Sequence, residues 1–71
     1  MKTIFINGDA ITEQQTPIET IAQALALYFS GKEQSTFALA LNGEFVGKED
    51  YSTTKVNHND SLDLLFPIQG G

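Results

Sequence analysis

The first part of the chain has the pattern of a β-hairpin. Three β-forming residues, Ile4 to Ile6, are followed by Asn7-Gly8 and then by the strand-like sequence DAIT. An Asn-Gly pair readily adopts the positive φ angles that a two-residue turn requires. Residues 2–12 are therefore predicted to form a strand, a tight turn and a second strand.

The next segment is predicted to be a helix. Thr16 can cap it, Pro17 suits the first helical position, and Glu19 completes a T-x-x-E capping box. Six apolar residues recur at helical spacing and form one stripe: Ile18, Ile21, Ala22, Leu25, Tyr28 and Phe29. Leu27 falls on the opposite side, so it is expected to lie under a loop or to be exposed. Gly31 stands where a helix is expected to end.

Two later stretches alternate in the way that half-buried strands do. The first places large residues on one face and small ones on the other: Phe37, Leu39 and Leu41 against Ala38 and Ala40, followed by the turn pair Asn42-Gly43. The last predicts an inward set of Leu62, Leu64, Phe66 and Ile68 and an outward set of Ser61, Asp63, Leu65 and Pro67. Between these stretches, Tyr51 and Val56 are the expected anchors of an irregular segment.

Together these elements predict an α+β fold: a mixed sheet of four to five strands with one main helix packed on one face. The sheet is expected to be mixed because the strands before and after the helix are joined by a crossover. The other face is then open. If Ile4 and Ile6 point at the helix, the open face receives four apolar side chains: Phe5, Ala38, Ala40 and Leu65. Solvated sheets commonly carry such residues, so the patch is either a docking surface or ordinary exposed surface.

Composition narrows the class of function. A length of 71 residues predicts one domain, 1–71, with a thin core and no large enclosed active site. Nine acidic residues against four lysines and no arginine give a net charge of −5, which argues against nucleic acid as a partner and favours a basic protein surface. Cysteine is absent, which removes disulfides, thiolate metal sites and a cysteine nucleophile and is typical of a cytoplasmic protein.

No membrane association is expected, because the longest apolar run is far shorter than a membrane span. The residues after Met1 are strand-like, so a signal peptide is not predicted. A bound metal or cofactor is not predicted either. His58 is a lone histidine in a polar turn, the glycines of GEFVGKE have the wrong spacing for a phosphate loop, and Glu49-Asp50 lacks a cleft that would separate two carboxylate pKa values.

The chemistry is predicted at the last two residues, Gly70 and Gly71. They directly continue an apolar strand that ends in Phe66, Pro67 and Ile68. Without Cβ atoms, two glycines make a thin thread that can enter a narrow slot and leave the final carbonyl carbon open to a nucleophile. A carboxylate resists such attack until its oxygen becomes a good leaving group. These residues therefore indicate a carrier whose carboxylate is activated by another protein.

At this point the whole chain resembles the ThiS-like sulfur carriers of thiamine biosynthesis, which belong to the ubiquitin-like β-grasp superfamily. The resemblance depends on the early NG hairpin, the capped central helix, LNGEFVGKEDY, the late LDLL strand and the final GG. The terminal glycines are shared by all carriers of the superfamily, whereas Val46, Gly47 to Glu49 and Tyr51 look specific to this branch. Many members have a Gly-Asp turn where this chain has Asn59-Asp60.

The resemblance implies a non-enzymatic carrier and a set of partners. A ThiF-like activating enzyme uses ATP to adenylate the Gly71 carboxylate, and sulfur from a cysteine desulfurase system then displaces AMP to leave a thiocarboxylate. A ThiG-like thiazole synthase takes this sulfur for the thiazole ring. Gly71 would bear the sulfur and Gly70 would give clearance. Phe66, Pro67 and Ile68 would hold the base of the tail against the enzyme, and the open face with Phe5 and Leu65 is the candidate docking surface.

Other functions remain open from the sequence. A molybdopterin-type sulfur carrier also often carries aromatic and proline residues before Gly-Gly, but such chains tend to be longer and lack the GKEDY segment. A ubiquitin-like modifier would be joined through Gly71 to lysines of target proteins. A binding module whose glycines are accidental would keep its activity after both are deleted.

Overall fold

The computed structural model describes residues 1–30 and 36–67. Within these residues the secondary structure consists of five strands, one α-helix and one 3₁₀ turn. In chain order they are β1 (Thr3–Ile6), β2 (Asp9–Thr12), α1 (Ile21–Phe29), β3 (Ala38–Leu41), β4 (Glu44–Val46), the 3₁₀ turn (Lys48–Asp50) and β5 (Ser61–Leu65). No helix in the described part of the chain is long and apolar enough to cross a membrane.

The five strands form one mixed sheet in the order β2-β1-β5-β3-β4. The central pair β1 and β5 is parallel, with Phe5 opposite Ser61, and the other pairs are antiparallel. The crossover from β2 to β3 runs through α1, which packs on one face of the sheet. This arrangement confirms the predicted α+β class and the ubiquitin-like β-grasp fold.

Both predicted Asn-Gly turns are present. Asn7 and Gly8 have φ angles of 51° and 86°, and Asn42 and Gly43 have 50° and 88°, the left-handed pair that a two-residue hairpin turn requires. The side chain of each asparagine also accepts a hydrogen bond from the central strand, β5. The Leu64 N–H donates to Asn7 Oδ1 at 2.7 Å, and the Ser61 N–H donates to Asn42 Oδ1 at 2.9 Å. The two turns therefore hold β5 from both ends of its ladder.

The core lies between α1 and the covered face of the sheet. Its ten buried apolar residues are Ile4, Ile6, Ile18, Ile21, Ala24, Leu25, Leu39, Val56, Leu62 and Leu64. The predicted inward positions of β1 and β5 are thus confirmed, and so is the anchoring role of Val56. Leu27 is 38% exposed, as its position opposite the stripe predicts.

The helix begins one turn later than predicted. Thr20 rather than Thr16 is the N-cap, and Gln23 rather than Glu19 completes the capping box. The first free N–H groups of the helix, those of Ile21 and Ala22, donate to the carbonyls of Thr54 and Tyr51, each at 3.0 Å. These partners are more than two dozen residues away along the chain, so tertiary contacts select the later cap. At the other end, Ser30 adopts a left-handed φ of 50°, while Gly31 lies outside the described residues.

The segment before the helix is a loop that is fixed to the start of the chain. The Glu13 carboxylate accepts hydrogen bonds from the N–H groups of Lys2 and Ile18, at 3.1 and 2.9 Å. In the same region the Lys2 ammonium group donates to the carbonyls of Ile18 and Val56, at 2.7 and 2.8 Å. These bonds hold Ile18, which is buried in the core although it precedes the helix. Its burial was therefore predicted correctly, but its place in the helix was not.

Candidate functional site

Phe66 and Pro67 follow β5 directly and form the base of the C-terminal tail. The other predicted residues of the site, Ile68, Gly70 and Gly71, lie outside the described residues. The Phe66 ring lies against Phe37, with centroids 5.7 Å apart and planes at 63°, an edge-on arrangement. The side chain nevertheless stays 47% exposed. The tail base is therefore bound to its own domain on one side and accessible on the other.

The contact between Phe66 and Phe37 follows from the strand register. The antiparallel pairing of β3 with β5 sets Ala38 opposite Leu65, so Phe37 and Phe66 stand opposite each other one step beyond the ladder. Side chains alternate along a strand, which places Phe66 on the same face as the buried Leu64. The predicted inward orientation of Phe66 agrees with this placement.

Phe37 is the centre of an aromatic cluster, which also contains Phe29, Tyr51 and Phe66. Its ring is 5.8 Å from that of Phe29 at the end of α1 and 6.4 Å from that of Tyr51, with which it is stacked at 4°. Burial, and secondarily the charge of Glu49, raises the pKa of the Tyr51 phenol. The phenol is therefore neutral at physiological pH, and the cluster is an uncharged apolar support under the tail base.

The open face of the sheet carries the predicted apolar residues. Register places Ala38 beside Leu65 on one row and Ala40 between Asp63 and Phe45 on the next. Leu65 and Phe45 are 66% and 75% exposed. Phe5 lies farther along the sheet, beside Ser61 and Ala10. Phe5 and Leu65 thus share a face, separated by roughly 13 Å along β5 at about 3.3 Å per residue.

Phe45 is a member of this face that was not predicted from the sequence. A two-residue turn at Asn42-Gly43 fixes the β3–β4 register and pairs Ala40 with Phe45. The signal was therefore present in the turn, because a two-residue hairpin determines which residues are opposite each other. With Phe45, the apolar part of the face extends to the sheet edge.

An open apolar notch of about 400 Å³ joins the tail base to this face. Six residues line it: Thr36, Phe37, Ala38, Leu65, Phe66 and Pro67. A somewhat larger groove of about 460 Å³ lies at the β2 edge, next to Gln14, Gln15 and Leu27. That groove has no titratable side chain in its lining, so it offers no group for acid, base or metal chemistry.

The other chemical candidates have structural roles. His58 Nδ1 accepts a hydrogen bond from the Thr3 N–H at 3.0 Å, which fixes the turn before β5 to β1. Within residues 1–30 and 36–67, no group of three His, Asp or Glu side chains could hold a metal ion. Gly43 lies in the β3–β4 turn, and Gly47 has an extended φ of −75° before the 3₁₀ turn. The GEFVGKE segment is thus a hairpin strand and turn, not a loop leading into a long helix.

Comparison with known families identifies the family of this chain. A sequence model of the ThiS family matches residues 4–71. The chain belongs to the ThiS family. Members of the ThiS family are small sulfur carrier proteins of thiamine biosynthesis rather than enzymes. The resemblance inferred from the sequence is confirmed.

Solved structures similar to this ThiS-family chain agree in fold. A crystal structure of a thiamine biosynthesis protein (ThiS) from Geobacter metallireducens has a TM-score of 0.72 at 22% identity, covering 97% of this chain and 99% of that one. An NMR solution structure of a thiamine biosynthesis protein from Geobacter metallireducens has a TM-score of 0.66 at 22% identity, covering 97% and 87%. A search of curated proteins found no match. At this identity the structures show the shared fold.

Proposed function

We propose that this chain carries sulfur as a thiocarboxylate on Gly71 and donates it for thiazole formation in thiamine biosynthesis. The observation that carries the proposal is the extent of the ThiS-family match, which runs to residue 71 and includes the terminal Gly70-Gly71 pair. The proposed partners are a ThiF-like activating enzyme, a cysteine desulfurase system and a ThiG-like thiazole synthase. We place the carrier in the cytoplasm, as the absence of cysteine from the chain predicts.

The proposed chemistry has two steps. An oxygen of the Gly71 carboxylate attacks the α-phosphorus of ATP, pyrophosphate leaves, and an acyl adenylate forms. In the second step, the terminal sulfur of a persulfide from the desulfurase system attacks the acyl carbon and AMP leaves. A thiol then cleaves the S–S bond of the resulting acyl disulfide, so that the thiocarboxylate remains on Gly71 and the thiol ends in a disulfide. Glycine suits the second step because it has no Cβ to shield the acyl carbon. The chain contains no cysteine, so the sulfur must come from outside the chain.

We further propose that the activating enzyme docks on the open face and receives the tail from its edge. Leu65 and Phe45 supply exposed apolar area, Phe5 extends the face across β1, and the notch beside Pro67 leads from this face to the tail. The exposed half of Phe66, together with Pro67 and Ile68, would hold the tail base against the enzyme. The net charge of −5 favours a basic rim on the partner surface.

Intact-mass spectrometry tests the function directly. The protein is incubated with ATP, a ThiF-like enzyme, cysteine, a cysteine desulfurase and a thiol reductant, and a mass gain that corresponds to replacement of one oxygen by sulfur is expected. The matched control lacks Gly71 and should show no gain. Addition of thiazole synthase together with the other precursors of the thiazole ring should return the mass to its starting value. Isopeptide-linked conjugates in place of the thiocarboxylate would contradict the proposal and indicate a protein modifier.

A further inference from the structure

The tail base is held by a side-chain contact rather than by the sheet. The β3–β5 ladder ends at the pair Ala38 and Leu65, and beyond it the Phe66 ring lies edge-on against Phe37 at 5.7 Å. Offset and edge-on aromatic pairs at this distance attract beyond the area they bury. Phe66 is thus the last described residue whose side chain is fixed to the domain by an aromatic contact.

Phe37 is itself firmly placed. Tyr51 stacks on it from the segment after β4, and Phe29 packs on it from the end of α1. The Tyr51 carbonyl also accepts the Ala22 N–H at 3.0 Å. The platform under Phe66 is therefore connected to the helix at both ends, and it can hold a fixed position while the tail engages a partner.

Pro67 restricts the direction in which the backbone continues after Phe66. Its ring fixes its own φ angle and restricts Phe66 to extended backbone. Four residues follow Pro67, so the Gly71 carboxylate can lie at most roughly 14 Å away, at 3.3–3.6 Å per residue. Without the contact between Phe66 and Phe37, the last fixed point of the described chain would be the end of β5, two residues before Pro67, and the maximum distance to the carboxylate would be longer.

We propose that Phe66, through its contact with Phe37, is a positioning residue that fixes where and in which direction the tail leaves the domain during activation of Gly71. This inference rests on the proposed function. It assigns to Phe66 a role within its own chain, in addition to any contact with the enzyme. A pre-aligned tail raises the fraction of bound carrier whose carboxylate is in reach of the nucleotide, and this fraction scales kcat without changing how tightly the scaffold docks.

The test compares three leucine variants: Phe66→Leu, Phe37→Leu and Tyr28→Leu. Pyrophosphate release by the activating enzyme is measured against carrier concentration, which separates kcat from KM. Phe66→Leu and Phe37→Leu should each lower kcat several-fold with little change in KM, and the double variant should lose no more than either single variant. Tyr28→Leu changes an aromatic residue of α1 that contacts Phe29 and lies outside the aromatic cluster, and it should leave kcat unchanged.

A second measurement follows the contact without the enzyme. The ¹H–¹⁵N heteronuclear NOE of the Phe66 amide should fall in Phe37→Leu and stay at the parent value in Tyr28→Leu. Because Phe66 lies outside the strand and is half exposed, Phe66→Leu is expected to fold even if Phe37→Leu does not. In that case the effect of Phe66→Leu on kcat, compared with its effect on KM, tests the positioning role.

The possible outcomes separate this inference from the proposed function. Failure of the parent protein to release pyrophosphate would overturn both. A parent that is activated normally, with Phe66→Leu raising KM alone, would show that Phe66 only contacts the enzyme. An unchanged kcat in both Phe66→Leu and Phe37→Leu would likewise overturn the positioning role while leaving the carrier function intact.

Discussion

Glu13 shows how a single surface carboxylate organises the start of the chain. Its two oxygens accept the backbone N–H groups of Ile18 and Lys2. These bonds, that of Ile18 first, hold the pKa of the Glu13 carboxyl below its ordinary value. A lowered pKa in the folded state means that ionised Glu13 stabilises the fold above the unfolded-state pKa, and this contribution is lost as the pH falls through the folded-state pKa.

Glu13→Gln should therefore lower Tm at pH 7, and the difference from the parent should shrink as the pH falls below about 4. Glutamine keeps one acceptor oxygen but turns an N–H₂ donor toward the second N–H group. Thermal melts between pH 3 and 7 measure the effect. Glu44→Gln is the matched control, since no side-chain hydrogen bond of Glu44 is found among the described residues. A loss of Tm that does not change with pH would contradict the assignment.

At the scale of elements, the start of α1 is set by tertiary contacts and not by the local sequence alone. The segments at Thr16 and Thr20 both read as capping boxes, T-x-x-E and T-x-x-Q. The folded chain uses Thr20, whose hydroxyl accepts the Gln23 N–H at 3.3 Å, and the carbonyls of Tyr51 and Thr54 take two more N–H groups of the first turn. Nothing local distinguishes the two threonines, so the choice could not be read from the sequence.

Substitution of each threonine tests which one caps the helix. Thr20→Ala should cost roughly 0.5–2 kcal/mol in free energy of unfolding, the usual value for an N-cap. Thr16→Ala, on the exposed loop before the helix, should cost only a few tenths. Urea unfolding followed by circular dichroism gives both values. An equal loss in the two variants would place the first turn of the helix earlier than the structure does.

The hairpins could be predicted from the sequence, whereas the aromatic cluster could not. Asn7-Gly8 and Asn42-Gly43 determine their turns locally, and the alternation of β5 determines its buried face, so both were predicted correctly. The contact of Phe37 with Tyr51 and Phe66 was not predicted, because these residues are far apart in the chain. It depends on β3 pairing with β5, and strand order is set by tertiary packing.

The whole molecule consists of a small core and a candidate site at its C-terminal end. The buried residues belong to residues 4–64, and a domain of this size has little stability to spare. Leu25→Ala should cost roughly 2–5 kcal/mol, because Leu25 is 5% exposed and its loss leaves a cavity. Leu27→Ala, the same change on the outer side of α1, should cost much less. Melts of the two variants that coincide would show that the assigned helix face is wrong.

Removal of Gly71 makes the complementary prediction, because it targets chemistry and leaves the core intact. Every buried apolar residue of the described chain precedes Phe66, and terminal residues contribute little to stability unless they are tied down. The truncated protein should keep the parent Tm and lose all thiocarboxylate formation in the intact-mass assay. A control that keeps the length, Gln69→Ala, should retain both properties. A large fall in Tm on loss of Gly71 would mean that the tail is part of the folded structure, and the separation between a stable scaffold and a reactive end would have to be abandoned.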